Sequence, residues 1–285
     1  MPIALRAPHG DLSTYERERF VSQRVEYPVY RKGSGPAVLV ITEMPGISPE
    51  VLGFADRVVA LVCTAVLPDL FGEAGRDPFA RGSAAHATYL VRSVLSVCIR
   101  REFTLFAAGK TAGVVGWLRK LAEHEHERCG GPGVGVVGMC FSSGFALAMA
   151  TDPRVLVPVL SQPSLPVALG ARSRRAIDCA ERDLSLVADR CARDGLQVLG
   201  LRFHGDPMVP HERFELLRER LGDGFISVEL AQADGHPDSP LPKHHSVLTR
   251  DLIDEPGQPT RAALDRVLAM LRNKLLPDAM VNEHP

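Results

Sequence analysis

The 285-residue chain is predicted to adopt an α/β fold: a mostly parallel central sheet of about eight strands with helices on both faces. Three observations predict it. Short apolar runs of strand length alternate with longer stretches of helical character, and such alternation produces parallel strands joined by crossover helices. The composition, 45% hydrophobic and 24% charged, is enough to bury one large core. The reactive polar residues cluster just past the ends of apolar runs, and open α/β sheets form their ligand crevice at the carboxyl ends of the strands.

In chain order, the strand candidates are residues 24–30, 37–41, 65–68, 103–107, 134–138, 155–160, 197–203 and 225–230. The helix candidates are 49–62, 84–100, 112–128, 143–150, 177–193, 211–221 and 261–274. Ser48-Pro49-Glu50 opens the first helix, since proline suits the first helical turn. No internal repeat or low-complexity segment interrupts the pattern. Pro153, Pro158, Pro163 and Pro166, followed by the charged 172–175 stretch, mark a lid or excursion rather than a linker. The reading is one domain over 1–285, with residues 1–24 as an N-terminal extension and a core of about 25–275.

The most informative stretch is Gly138-Met139-Cys140-Phe141-Ser142-Ser143-Gly144. The apolar run 134–137 leads in and the small-residue, helix-prone run 145–150 leads out. A strand, a tight turn and a helix with a nucleophile at the apex form the nucleophile elbow of α/β-hydrolases, here with cysteine in place of serine. The strained turn demands small residues two positions to either side of the nucleophile. Gly138 satisfies this, and Ser142 does so less well than the usual glycine. The plain alternative is a buried cysteine where a core strand meets a helix.

This fold orders its triad nucleophile, acid, histidine. The strand candidate 197–203 ends in His204-Gly205-Asp206-Pro207, where Asp206 stands at the place of the acid. After the strand candidate 225–230 come two possible bases: His236, in Asp234-Gly235-His236, and His245, in Lys243-His244-His245-Ser246-Val247. Singly, Asp206 reads as a turn residue and either histidine as surface. Jointly, the order Cys140, acid, histidine fits the triad.

At this point the chain resembles the dienelactone hydrolase (carboxymethylenebutenolidase) family. The resemblance rests on Glu43-Met44-Pro45-Gly46-Ile47 after an apolar strand, the cysteine elbow, the His204-Gly205-Asp206 turn and the segment from His245 to Thr249. It covers residues of about 25–270. It implies that His245 rather than His236 is the base and that Glu43 holds the resting thiol. It also implies that the backbone N–H groups of Met44 and Phe141 form the oxyanion hole. The family's archetype grips a substrate carboxylate with two arginines, one of them four residues after the catalytic histidine. Here that position is Thr249, with Arg250 beside it, and Arg76 and Arg81 are the other candidates. Extra length before residue 25, between Cys140 and Asp206, and between Gly235 and His245 reshapes the expected pocket.

Other signals point elsewhere and are weaker. Gly133, Gly135 and Gly138 spell G-x-G-x-x-G, but within a strand rather than after one. Gly109-Lys110-Thr111 lacks the first glycine of a phosphate loop, and Thr111 reads as a helix cap. His124-Glu125-His126-Glu127 places its histidines two apart, not on one helix face, and reads as a solvated helix end. No metal or cofactor is expected. A net charge of −1 disfavours a nucleic-acid surface, and no apolar run reaches the roughly 18 residues of a membrane span. The charged N-terminal stretch does not read as a signal peptide. Six singly scattered cysteines suit a reducing cytosol. The expected function is hydrolysis of a small lactone or activated ester through Cys140, His245 and Asp206, by a monomer or small homo-oligomer. The alternative is a non-catalytic or redox-sensing thiol protein on the same fold. A glutamine amidotransferase would need a His-x-Glu triplet after Cys140, which the sequence lacks.

Overall fold

A computed structural model describes residues 10–77, 111, 113–165, 170–240 and 242–277. The helix expected at 84–100, the strand expected at 103–107 and Arg81 lie outside the described residues. Eight strands form one sheet: β1 (Glu16–Ser22), β2 (Val25–Lys32), β3 (Ala37–Ile41), β4 (Thr64–Pro68), β5 (Val134–Met139), β6 (Val155–Ser161), β7 (Val198–Phe203) and β8 (Phe225–Leu230). Their spatial order is β1-β2-β4-β3-β5-β6-β7-β8. β1 pairs antiparallel with β2 and β2 with β4, and every later pairing is parallel.

The helices are α1 (Pro49–Ala60), α2 (Val114–Cys129), α3 (Ser143–Met149), α4 (Ala171–Arg175), α5 (Glu181–Asp194), α6 (His211–Leu221) and α7 (Pro259–Leu275). They cover both faces of the sheet, and β3 shows how. Ala37, Leu39 and Ile41 enter a core layer shared with Trp117, Phe145, Leu184 and Phe214 of α2, α3, α5 and α6. Val38 and Val40 enter the opposite layer, with Phe54 of α1 and Leu264 and Val267 of α7. Strand side chains alternate between faces, so a strand buried on both sides reads as an unbroken apolar run.

Several elements differ from expectation. β1 lies within the stretch read as an extension. Its Glu16, Arg17, Glu18 and Arg19 are exposed on the sheet edge, where charged side chains discourage pairing with other chains. That charge hid the strand from an apolar-run search. The short helix α4 was not foreseen. The predicted 177–193 helix begins only at Glu181, because Ile177, Asp178 and Cys179 instead run buried, with Asp178 against Gly144 of α3. Thr111 caps nothing. Its hydroxyl bonds the Asp183 carboxylate and accepts from the Ala180 N–H, while α2 starts at Val114 after Gly113 without a side-chain cap. The His124–Glu127 stretch is not wholly solvated either. Glu125 is fully buried and takes a 2.7 Å hydrogen bond from Arg31 of β2.

Candidate active site

The elbow follows from its own sterics. Cys140 leaves β5 with φ 60°, the left-handed region that costs a non-glycine residue on the order of 1–3 kcal/mol. A side chain at Gly138 would place its Cβ 2.5 Å from the Ser142 carbonyl oxygen and 2.7 Å from Ser143 Cα, so glycine is required. Ser142 is accommodated because its hydroxyl is used. It accepts from the Met139 N–H at 2.9 Å and lies 2.7 Å from the Ile41 carbonyl, tying the turn to the end of β3.

Asp206 follows β7 and His245 follows β8, so both reach the same edge of the sheet as Cys140. Both are buried, and Asp206 Oδ2 lies 2.6 Å from His245 Nδ1. The other Asp206 oxygen accepts from the Met208 N–H at 2.9 Å, which holds the carboxylate in place. With Nδ1 committed to Asp206, the ring nitrogen left for the Cys140 sulfur is Nε2, which is buried and has no hydrogen bond of ordinary geometry among the described residues. Burial works against the His245 cation. The opposing influence of the Cys140 sulfur charge and of Asp206 prevails and raises the imidazole well above its ordinary value.

The neighbouring histidines are otherwise engaged. His244 Nδ1 lies 2.9 Å from Asp251 Oδ1, with its ring against Phe203. His236 Nδ1 accepts from the Asp238 N–H. Asp251, which sequence reasoning missed, anchors the loop: its Oδ2 accepts from the N–H groups of His245 at 2.7 Å and Ser246 at 2.8 Å. Burial opposes the Asp251 anion, but these hydrogen bonds hold its carboxyl below the usual value.

Glu43 stands at the end of β3, but its carboxylate is turned to three other donors. Gln162 Nε2 donates at 3.0 Å, the Ser246 hydroxyl at 2.8 Å and the Thr249 hydroxyl at 2.6 Å. The hydrogen-bond partner of the Cys140 sulfur is Ser164, whose Oγ lies 2.8 Å away. Ser164 and Gln162 were also missed, and being ordinary polar residues after β6 they carry no sequence signal. Met44 is half-buried, while Phe141 is buried with its ring 5.0 Å from that of Phe71. Phe141 opens the turn leading into α3, where backbone N–H groups lack intrahelical partners. Arg250 turns inward to Glu50 of α1 at 3.4 Å, and Arg76 pairs with Glu73 at 3.0 Å. No group of three or more metal-ligating side chains occurs among the described residues, and no described helix is long and apolar enough to cross a membrane.

No protein-family model matches the sequence, and no curated protein matches it. Solved structures do match. The dienelactone hydrolase from Anabaena variabilis aligns over 92% of this chain and 99% of its own, at 13% identity and TM-score 0.54. A dienelactone hydrolase-like promiscuous phosphotriesterase from metagenomic libraries aligns over 92% and 98%, at 14% identity and TM-score 0.56. The thioesterase domain from the curacin biosynthetic pathway aligns over 90% and 99%, at 10% identity and TM-score 0.54. The chain therefore has the α/β-hydrolase fold. The solved structures it resembles include dienelactone hydrolases and related esterases, in keeping with the sequence resemblance.

Proposed function

We propose that this protein hydrolyses a small lactone or activated carboxylic ester through a thioester intermediate on Cys140. The observation that carries the reading is the buried Asp206–His245 contact at 2.6 Å, with its free ring nitrogen on the side of a cysteine held at φ 60° in an elbow. A fold hosts many functions, so the argument rests on this constellation.

In the proposed reaction His245, oriented by Asp206, takes the proton of Cys140. The sulfur attacks the substrate carbonyl carbon, forming a C–S bond and pushing the carbonyl electrons onto oxygen. The N–H groups of Met44 and Phe141 receive that oxyanion, a contribution of about 3 kcal/mol per donor in comparable sites. Collapse breaks the C–O bond, and the leaving oxygen takes the proton from His245. His245 then deprotonates a water, which attacks the thioester and releases the acid and the thiol. A thiolate leaves readily, so the site favours esters with stabilised leaving groups, such as enol lactones, over amides. Arg250 and Arg76 both have carboxylate partners, which weakens their case as substrate anchors; Arg81 keeps its place as a candidate. The same reading takes residues 1–285 as one catalytic domain working in a reducing cytosol on a small molecule.

A panel of p-nitrophenyl acetate and small lactones, assayed with wild type and Cys140→Ala, tests the reading. Turnover by wild type and near-complete loss in the variant is expected. Wild-type turnover in purified Cys140→Ala would exclude covalent catalysis at this residue. No turnover on any substrate, with Cys140 oxidised by peroxide, would identify a thiol sensor instead.

A further inference from the structure

The resting state of the sulfur is set by groups other than the one the family resemblance implies. Ser164 is 6% exposed. Its hydroxyl lies 2.8 Å from Cys140 Sγ, and its N–H donates to the Cys140 carbonyl at 3.2 Å. The hydroxyl is thus fixed against the sulfur by the same residue's backbone. Glu43 is held away by three donors, two of them on the His245 loop. Thr249, at the position where the family archetype carries an arginine, is one of these donors, so the departure in sequence and the departure in geometry coincide.

A second observation concerns Arg213 of α6, which is fully buried. Its guanidinium donates to four backbone carbonyls: Ala176 at 2.5 Å, Pro163 at 2.7 Å, Met208 at 2.8 Å and Ser173 at 3.1 Å. None of these is a carboxylate. Carbonyl dipoles solvate a cation but do not neutralise it, and a buried cation needs counter-charge nearby. Pro163 adjoins Ser164 and Met208 lies two residues past Asp206, so Arg213 is tied to the backbone next to the sulfur's hydrogen-bond partner and next to the acid. Its burial lowers it to about 10, and the charges of Cys140 and Asp206 pull the other way. The charged groups of the site are therefore His245 and Arg213 as cations, with Asp206 and the tethered Glu43 as anions. Asp178, packed against Gly144 of the catalytic helix, is held protonated near neutral pH by burial, which raises it to about 8.

We infer that Ser164 is a catalytic residue whose hydroxyl donates to Cys140 Sγ and holds it as a resting thiolate, while Glu43 is a positioning residue for the His245 loop. The catalytic role rests on the hydrolase reading above, with the transfer of the Cys140 proton to His245 complete before substrate binds; the ionisation of the sulfur is measurable without turnover. A hydroxyl can donate to a thiolate or accept from a thiol. Donation is favoured because a thiolate needs cations nearby, and the Cys140 charge raises both His245 and Arg213. Charge-assisted hydrogen bonds are the stronger kind.

The test is the pH dependence of iodoacetamide alkylation at Cys140, followed by peptide mass spectrometry in wild type, Ser164→Ala, Ser164→Thr and Glu43→Gln. Wild type should alkylate nearly as fast at about pH 6 as at about pH 8. Ser164→Ala should move the apparent midpoint up by about one pH unit, a loss of about two- to threefold at the lower pH, and Ser164→Thr should restore it. Glu43→Gln should leave the midpoint in place while lowering kcat. A Ser164→Ala profile that superimposes on wild type, or a midpoint that moves equally in Glu43→Gln, overturns the inference. If Ser164→Ala shifts the profile but no ester is turned over, the resting thiolate stands and the hydrolase reading falls. If Cys140→Ala abolishes turnover while the Ser164→Ala profile is unmoved, the hydrolase reading stands and this inference falls.

Discussion

His244 and His245 are adjacent in the chain, and their partners separate their roles. His245 meets Asp206 and His244 meets Asp251, since neighbouring side chains in an extended segment point to opposite sides. His245→Ala should therefore remove nearly all ester turnover, while His236→Ala, at a half-buried position remote from Asp206, should have a mild effect. The reverse pattern on the same activated ester would move the base to His236. Asp206→Asn should keep the fold and lower kcat strongly, by up to ~10⁴ in well-studied triads, because the wrong tautomer of His245 is then favoured. A loss under tenfold, with an unchanged circular dichroism spectrum, would place the acid elsewhere. Alkylation at Cys140 is read by peptide mapping, which separates it from Cys129 and Cys98; burial raises the Cys179 and Cys191 thiols and pushes Cys63 to about 11.

At the scale of elements, the turn between β5 and α3 and the packing of β2 against α2 carry the largest local demands. Gly138→Ala would drive a methyl into the Ser142 and Ser143 backbone. A cost of about 1–3 kcal/mol is expected, together with lost turnover as the nucleophile shifts. Wild-type activity and melting temperature in this variant would contradict the steric argument. Arg31 and Glu125 are 2% and 0% exposed and join the two elements as an ion pair. Arg31→Ala leaves a buried carboxylate with Arg128 as its remaining partner and should cost about 3–5 kcal/mol in urea unfolding. Lys32→Ala breaks the pair with Asp56 and a 5.2 Å contact over the Tyr15 ring, and should cost no more than about 1.5 kcal/mol. Similar losses for the two variants would remove the special role of the buried pair.

Over the whole molecule, buried carboxyl groups make stability depend on pH. Asp178 is 3% exposed, neither of its oxygens has a hydrogen-bond partner among the described residues, and burial raises it from 3.8 to about 8. Between those values the unfolded chain has released this proton and the folded chain retains it. The stability it confers is full below about pH 4 and is lost as pH rises toward 8, at up to about 1.4 kcal/mol per pH unit. Asp69, raised to about 6 by burial against the weaker pull of Arg17, acts in the same direction over a narrower range. Urea midpoints measured between about pH 5 and 8 should fall less steeply in Asp178→Asn than in wild type. Parallel slopes would show that Asp178 ionises freely in the folded protein.

The sequence by itself determined the strand and helix order, the elbow at Cys140 and the succession of Cys140, Asp206 and His245. These are legible because they are local: a strand buried on both faces needs an apolar run, and a nucleophile at a strained turn needs Gly138. The tertiary structure alone decided which polar groups meet. β1 stayed hidden because an edge strand of Glu and Arg has no apolar signature. Glu125 read as solvated until β2 placed Arg31 over it. Glu43 and Thr249 lie 206 residues apart, and only the adjacency of strand ends across the sheet brings them together. Ser164 and Arg213 stand among ordinary polar residues along the chain. They acquire significance through burial around the Cys140 turn, because desolvation is a property of the packed molecule and leaves no mark on the spacing of residues.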